Sequence, residues 1–114
     1  MRIIKKTTIK QYCTKHPQAT SGLMEWMKKT EEAHWTCFED IKKTFNSVDY
    51  VGQQHYVFNI QQNDFRLVVV IQFTPQNVFV RFIGTHSEYD RIKDIKKNLN
   101  HDKDTDRTRV QSDL

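Results

Sequence analysis

Along the first third of the chain the apolar positions keep a helical rhythm. Ile9, Tyr12, Cys13 and His16 share one face, and Pro17, which has no N–H and restricts the residue before it, ends the run. This predicts a first helix over about Thr7 to His16. Gln18 to Glu32 carries a second stripe, Ala19, Leu23, Trp26, Met27 and Thr30, with lysines and glutamates on the other side, so a longer amphipathic helix should bury that stripe. A short third helix is expected over Phe38 to Phe45, where Phe38, Ile41 and Phe45 fall together, with Asn46-Ser47 as the turn that follows.

Beyond that turn the period changes from helical to twofold, and Val, Ile, Phe and Tyr take over, as strands require. Three strands are predicted, Gln54 to Ile60, Phe65 to Phe73 and Asn77 to Gly84. With Gln62-Asn63 as the hairpin loop, Phe58 faces Leu67, Ile60 faces Phe65 and Asn59 faces Arg66. With Thr74 to Asn77 as the next loop, Phe73 faces Val78, Ile71 faces Val80 and Val70 faces Arg81. One face is then wholly uncharged, from Tyr56, Phe58 and Ile60 through Phe65, Leu67, Val69, Ile71 and Phe73 to Val78, Val80 and Phe82. That face should lie under the helices. The other face carries Asn59, Arg66, Val68, Val70, Gln72, Phe79, Arg81 and Ile83, which sets both strand arginines on the open side.

Gly84-Thr85-His86-Ser87-Glu88-Tyr89-Asp90 follows directly, and Thr85 with Glu88 has the spacing of a capping box that starts a helix. His86, Tyr89 and Asp90 then sit at i, i+3 and i+4, three groups able to exchange protons at one helix start, beside the sheet end where Arg66 falls. An ordinary half-buried His and Tyr pair is the competing reading. From Lys96 to Leu114 apolar residues almost vanish and charges mix without period, as in a disordered polar tail, 96–114, attached to one domain, 1–95.

Composition narrows the classes. At 114 residues, 37% hydrophobic and 28% charged, the chain has room for a single small core and none for separate substrate and cofactor lobes. A net charge of +4 is a mild pull towards phosphate-bearing partners. No apolar run is long enough to cross a bilayer, and Met1 to Lys6 lacks the apolar stretch of a signal peptide, so a cytoplasmic protein with no membrane partner is expected. Cys13 and Cys37 lack C-x-x-C spacing and are expected as small buried hydrophobes. The five histidines form no ligand pattern, so neither metal nor cofactor is expected.

Three stretches, His55-Tyr56-Val57-Phe58-Asn59-Ile60, Asn63-Asp64-Phe65-Arg66-Leu67-Val68 and Val80-Arg81-Phe82-Ile83-Gly84-Thr85-His86-Ser87-Glu88-Tyr89-Asp90, closely resemble the HigB-type toxins of bacterial toxin-antitoxin modules, within the RelE superfamily. The resemblance covers about Met1 to Ile95. It implies a small α+β, RelE-like fold, with N-terminal helices packed on one face of a twisted antiparallel sheet and a short C-terminal helix. It implies an endoribonuclease, an mRNA interferase, that cleaves messenger RNA on the ribosome. A HigA-like helix-turn-helix antitoxin would neutralise it, and operator DNA would be met only through that antitoxin. Carried over residue by residue, Arg66, His86, Tyr89 and Arg81 stand at catalytic positions, and Asn59 and Asp90 at substrate-binding ones, with a capping or structural role suiting Asp90 equally. The chain departs from the pattern in two places. Gln61-Gln62 stands where relatives often have Gly-Gly, and the strand Gln54 to Ile60 has none of the lysines that several superfamily toxins carry there.

Cutting RNA in this way needs a base for the ribose 2′-OH, an acid for the leaving 5′-oxygen, and cations for the charge gathering on the phosphate. Arg66 and Arg81 can grip phosphate oxygens in bidentate fashion. His86 can be acid or base near neutrality; Tyr89 could act as a base only if adjacent arginines lowered its pKa, or it could stack on a nucleobase. A noncatalytic RNA- or antitoxin-binding module on the same fold is the alternative reading. A DNA-binding regulator is disfavoured because no helix-turn-helix with a basic recognition helix is evident.

Overall fold

The computed structural model describes residues 1–92, so the predicted tail 96–114 and the domain boundary at Ile95 lie outside the described residues. Strand β1 (Arg2–Ile4) leads into α1 (Lys6–Lys15), a 3-10 turn (Pro17–Ala19), α2 (Thr20–Glu32) and α3 (Phe38–Thr44). Strands β2 (Val48–Gly52), β3 (His55–Ile60), β4 (Phe65–Gln72) and β5 (Asn77–Thr85) follow, and residues 86–92 form helix α4. The expected α+β class stands: α1, α2 and α3 cover one face of a sheet ordered β1-β5-β4-β3-β2. No helix among the described residues is long and apolar enough to cross a membrane.

Two strands were not predicted. β2 runs antiparallel to β3, and β1 runs parallel to β5, so the sheet is mixed where a purely antiparallel one was expected. Three residues are too few for a period to show in sequence. Pairing Ile3 with Val78 nevertheless buries Ile3 in the main core.

The helical stripes bury as their spacing requires: Ile9 from α1 and Leu23, Trp26, Met27 and Thr30 from α2 are all buried. Phe58 is the hub of an aromatic cluster, with ring centroids 5.5 Å from Trp26, 5.2 Å from Phe45 and 6.5 Å from Trp35. Such offset and edge contacts add to the area buried. Cys13 packs half-buried against this core, but Cys37, in extended backbone just before α3, is exposed, contrary to expectation.

The β3–β4 register is the predicted one, with Phe58 opposite Leu67, Asn59 opposite Arg66 and Ile60 opposite Phe65. The turn reverses through left-handed backbone at Gln61, Gln62 and Asn63 (φ 55°, 55° and 76°), conformations that glycine adopts without strain. Gln61 also has a tertiary role: its side-chain Oε1 accepts from the Gly22 N–H (2.9 Å) in the first turn of α2. A Cβ at position 22 would come within 2.6 Å of that oxygen, so Gly22 permits the close approach of helix to hairpin.

The β4–β5 register departs from expectation. Val68 faces Phe82 and Val69 faces Val80, so Arg81 is an extra, unpaired residue in a β-bulge, and Val70 faces Phe79 where Arg81 was expected. The bulge exchanges the faces beyond it. Phe82 joins the open face and Ile83 packs against the main core, the reverse of the predicted assignment. Val78, Phe79, Val80, Phe82 and Ile83 are apolar at both parities, so strand alternation carries no mark of the inserted residue.

Candidate active site

The face of the sheet turned away from α1–α3 is ordered in rows by the strand pairing. Nearest the β3–β4 hairpin lie Asn59, Arg66 and Gly84; the next row holds Asp49, Val57, Val68 and Phe82. Helix α4 folds back over this end. Thr85 N–H donates to Glu88 Oε1 (2.8 Å) and Glu88 N–H donates to Thr85 Oγ1 (3.1 Å), which is the predicted capping box. The His86 N–H, otherwise an orphan of the first turn, donates to the Asp64 carbonyl (3.0 Å) and so ties the helix start to the hairpin.

This docking brings together five of the six residues singled out from sequence. Arg66 extends along its own hairpin, its Nη1 donating to the carbonyls of Asn63 (2.8 Å) and Phe65 (3.2 Å). A guanidinium has five N–H donors, so these bonds fix its direction and leave donors for an anion. Asn59, directly opposite, donates from Nδ2 to Ser47 Oγ. Gly84 faces Arg66 from β5, and a Cβ there would come within 2.5 Å of the Phe82 ring and 2.8 Å of the Glu88 carboxylate.

His86 and Asp90 form an exposed pair on α4, Nε2 to Oδ2 3.1 Å, with side chains 55% and 49% accessible. Asp90 thereby holds the imidazole by Nε2 and leaves Nδ1 as the second proton site, the arrangement by which a carboxylate fixes a histidine's tautomer and direction. Tyr89 differs from expectation. Only 8% exposed, its ring packs on Val57, Val68 and Phe82 in a second, small core, and a ring so enclosed is not a platform for a nucleobase. Burial above all, then the Asp49 carboxylate, raise its pKa above the ordinary tyrosine value; Arg66 lowers it, Asp90 adds to the rise, and the net direction is up. The expectation that arginine would make Tyr89 a base therefore gives way to a phenol held protonated.

Arg81 is the residue not brought in by the expected route. It is exposed in the bulge, and the pairing that was to place it opposite Val70 belongs to Phe79. Sequence reasoning also missed Asp49 and Ser47. The buried-exposed alternation of Val48-Asp49 before Tyr56 and Phe58 was the available signal, but a short edge strand after a turn shows little of it. Among the described residues no three His, Cys, Asp or Glu stand together as a metal site. A cleft of about 320 Å³ between α1 and α2, lined by Lys6, Lys10, Met24, Met27, Lys28, Glu31 and Glu32, opens on the helical layer and contains none of these groups.

The family described as the RelE-like toxic component of a toxin-antitoxin system, HigB_toxin, matches residues 19–92, a span that includes every residue of this site. The mRNA interferase toxin HigB of Escherichia coli K12 is 31% identical over 92 residues, covering 79% of this chain and 88% of its own. The mRNA interferase HigB of Shigella flexneri matches to the same extent, 31% over 92 residues with 79% and 88% covered. That of Escherichia coli O6:H1 is 26% identical over 94 residues, covering 81% of this chain and 91% of its own. With its fold, its capping box and the cluster around Arg66 and His86 in place, the chain belongs to the HigB family of toxin-antitoxin toxins.

Proposed function

We propose that this protein is an endoribonuclease that cleaves messenger RNA engaged on the ribosome, by attack of the ribose 2′-OH on the adjacent phosphorus. The reading is carried by one observation: α4, clamped by its capping box and by the His86 N–H bond to Asp64, sets the His86–Asp90 pair beside Arg66 at one end of the open face. His86 Nδ1 takes the 2′-OH proton while the 2′-oxygen bonds to phosphorus. The bond from phosphorus to the 5′-oxygen breaks, and that oxygen leaves with a proton from the Tyr89 phenol or from water, giving a 2′,3′-cyclic phosphate and a free 5′-OH. Arg66 stabilises the added negative charge, and Arg81 lends a second cation at the rim.

Asn59 and Ser47 keep β3 and the start of β2 together beside the phosphate, and Asp90 acts through His86 as a positioning residue. The ribosome supplies the in-line geometry that so sparse a constellation does not impose on free RNA. The partner is a HigA-like helix-turn-helix antitoxin, through which alone the toxin meets operator DNA, and the site of action is the cytoplasm. The domain ends near Ile95, and the polar segment 96–114 takes no part in the chemistry. Inducing the gene in a bacterial host and mapping new 5′ ends on messages tests the proposal. Cuts in register with codons are expected, whereas growth arrest without new ends would make the protein a noncatalytic binding module.

A further inference from the structure

The open face does not end at Tyr89. Beyond the row that α4 covers, His55, Val70, Phe79 and Ile4 pair in line across β3, β4, β5 and β1. One row further, Gln72, Asn77 and Arg2 are aligned in the same way. Successive rows lie two residues apart along the strands, a step of about 7 Å.

Ile4, Val70 and Phe79 are half-buried apolar side chains, yet among the described residues they belong to neither core cluster. His55 is buried at the end of the row, with Nδ1 against the Gln53 carbonyl (2.8 Å), and its Nε2 has no hydrogen-bond partner among the described residues. Arg2 is exposed, with no ion pair among the described residues, although it stands on the strand that closes the sheet. A half-buried aromatic on a sheet face, amides beside it and, at the margin, a guanidinium with no ion pair among the described residues are the groups that take single-stranded nucleic acid: a ring to stack on, amides for base edges, a cation for phosphate.

We propose that Phe79 with Ile4 and Val70, and beyond them Arg2, Asn77 and Gln72, form a second binding strip that holds nucleotides of the RNA flanking the cut. The inference rests on the nuclease reading, because the strip continues the face on which Arg66 stands. RNA, not protein, is the occupant favoured here: both rows lack acidic residues, and Arg2 at their margin repeats the cation that Arg66 supplies at the other end of the face, beyond the Asp49 row and α4. A strand laid obliquely from Arg66 on β4 to Arg2 on β1 would meet a polar or cationic row, the α4 cover, an apolar row and a second polar row in turn, with the phosphate contacts at the two ends.

Binding of a short fluorescent 2′-O-methyl RNA, which has no free 2′-OH and so is not cut, can be followed by anisotropy with the full chain. Phe79→Ala should weaken binding about tenfold, and Phe79→Tyr, which keeps a stacking ring, should restore it. Arg2→Gln should lower the slope of log affinity against log salt by about 0.7. Thermal melting of each variant establishes that it is folded. Wild-type affinity in folded Phe79→Ala, or no binding of the oligonucleotide by the wild type, overturns the strip. So does a Phe79→Ala protein that keeps RNA binding and loses its antitoxin, which would make this a protein-docking face. The two readings fail separately: messages cut with no dependence on Phe79 remove only the strip, and Phe79-dependent RNA binding without cuts in the cell removes only the nuclease.

Discussion

Asn59 and Arg66 stand opposite each other on β3 and β4, Asn59 tied to Ser47 before β2 and Arg66 to two carbonyls of its own hairpin, those of Asn63 and Phe65. Each member of the pair is thus held before any substrate arrives. Preorganisation of this kind lets a cation stabilise developing charge without first reorienting.

Arg66→Ala should therefore lower cleavage of ribosome-bound message by about two to three orders of magnitude while the melting temperature stays near that of the parent, because the side chain leaves the face opposite the helices. Arg66→Lys should recover little, since an ammonium does not reproduce the forked donors. An unfolded Arg66→Ala protein would instead mark the residue as structural.

Leu67 is the reciprocal case. One residue along β4 and 0% exposed beneath the helices, it should not tolerate a carboxylate: Leu67→Asp is expected to destabilise the fold by about 3 kcal/mol or more, seen as loss of a cooperative melt. A normal melt would mean that the two sheet faces have been exchanged.

Removing the cap should separate stability from activity. Thr85→Ala is expected to cost about 1 kcal/mol in denaturant unfolding. Activity should fall further than that loss accounts for, because both members of the His86–Asp90 pair ride on the helix that the cap starts. Equal activity in folded Thr85→Ala would show that α4 is held by Tyr89 packing alone.

Proton transfer is tested at His86. His86→Gln should slow single-turnover cleavage by about two orders of magnitude with ribosome binding kept. Asp90→Asn should give a smaller loss of the same kind, confined to the rate and sparing KM, since Asp90 pairs with the imidazole and acts through it in the proposed mechanism. Wild-type rates in His86→Gln would move the base elsewhere.

The tyrosines set an alkaline limit. Tyr89 is raised by burial, Asp49 and Asp90 against the opposing effect of Arg66; Tyr12 and Tyr56 are raised chiefly by burial. Above about pH 10 the unfolded chain gives up phenolic protons that the folded chain keeps, so stability should be full below that pH and fall as pH rises further. Tyr89→Phe should make the decline shallower in urea unfolding followed from pH 8.5 to 11, whereas an unchanged slope would place the titration in other groups.

Local patterns settled much of this protein. Helical stripes, the twofold period of β3 and β4, the β3–β4 register and the capping box each depend on residues close together in the chain, and each formed as the spacing required. So did the gathering of Asn59, Arg66, His86 and Asp90 at one end of the sheet, since a correct hairpin followed at once by a helix start allows few other placements. What needed the folded chain were relations between distant segments. β1 is a strand because β5 and the core receive Ile3; Gln61 adopts left-handed backbone where its side chain meets Gly22 of α2; and the Arg81 bulge arises in a strand apolar at both parities, where only packing against both layers selects which residue is left over. Tyr89 shows the same limit for chemistry, because its spacing on α4 was evident but its burial against Val57, Val68 and Phe82, and the approach of Asp49, depend on a helix folding back onto a sheet.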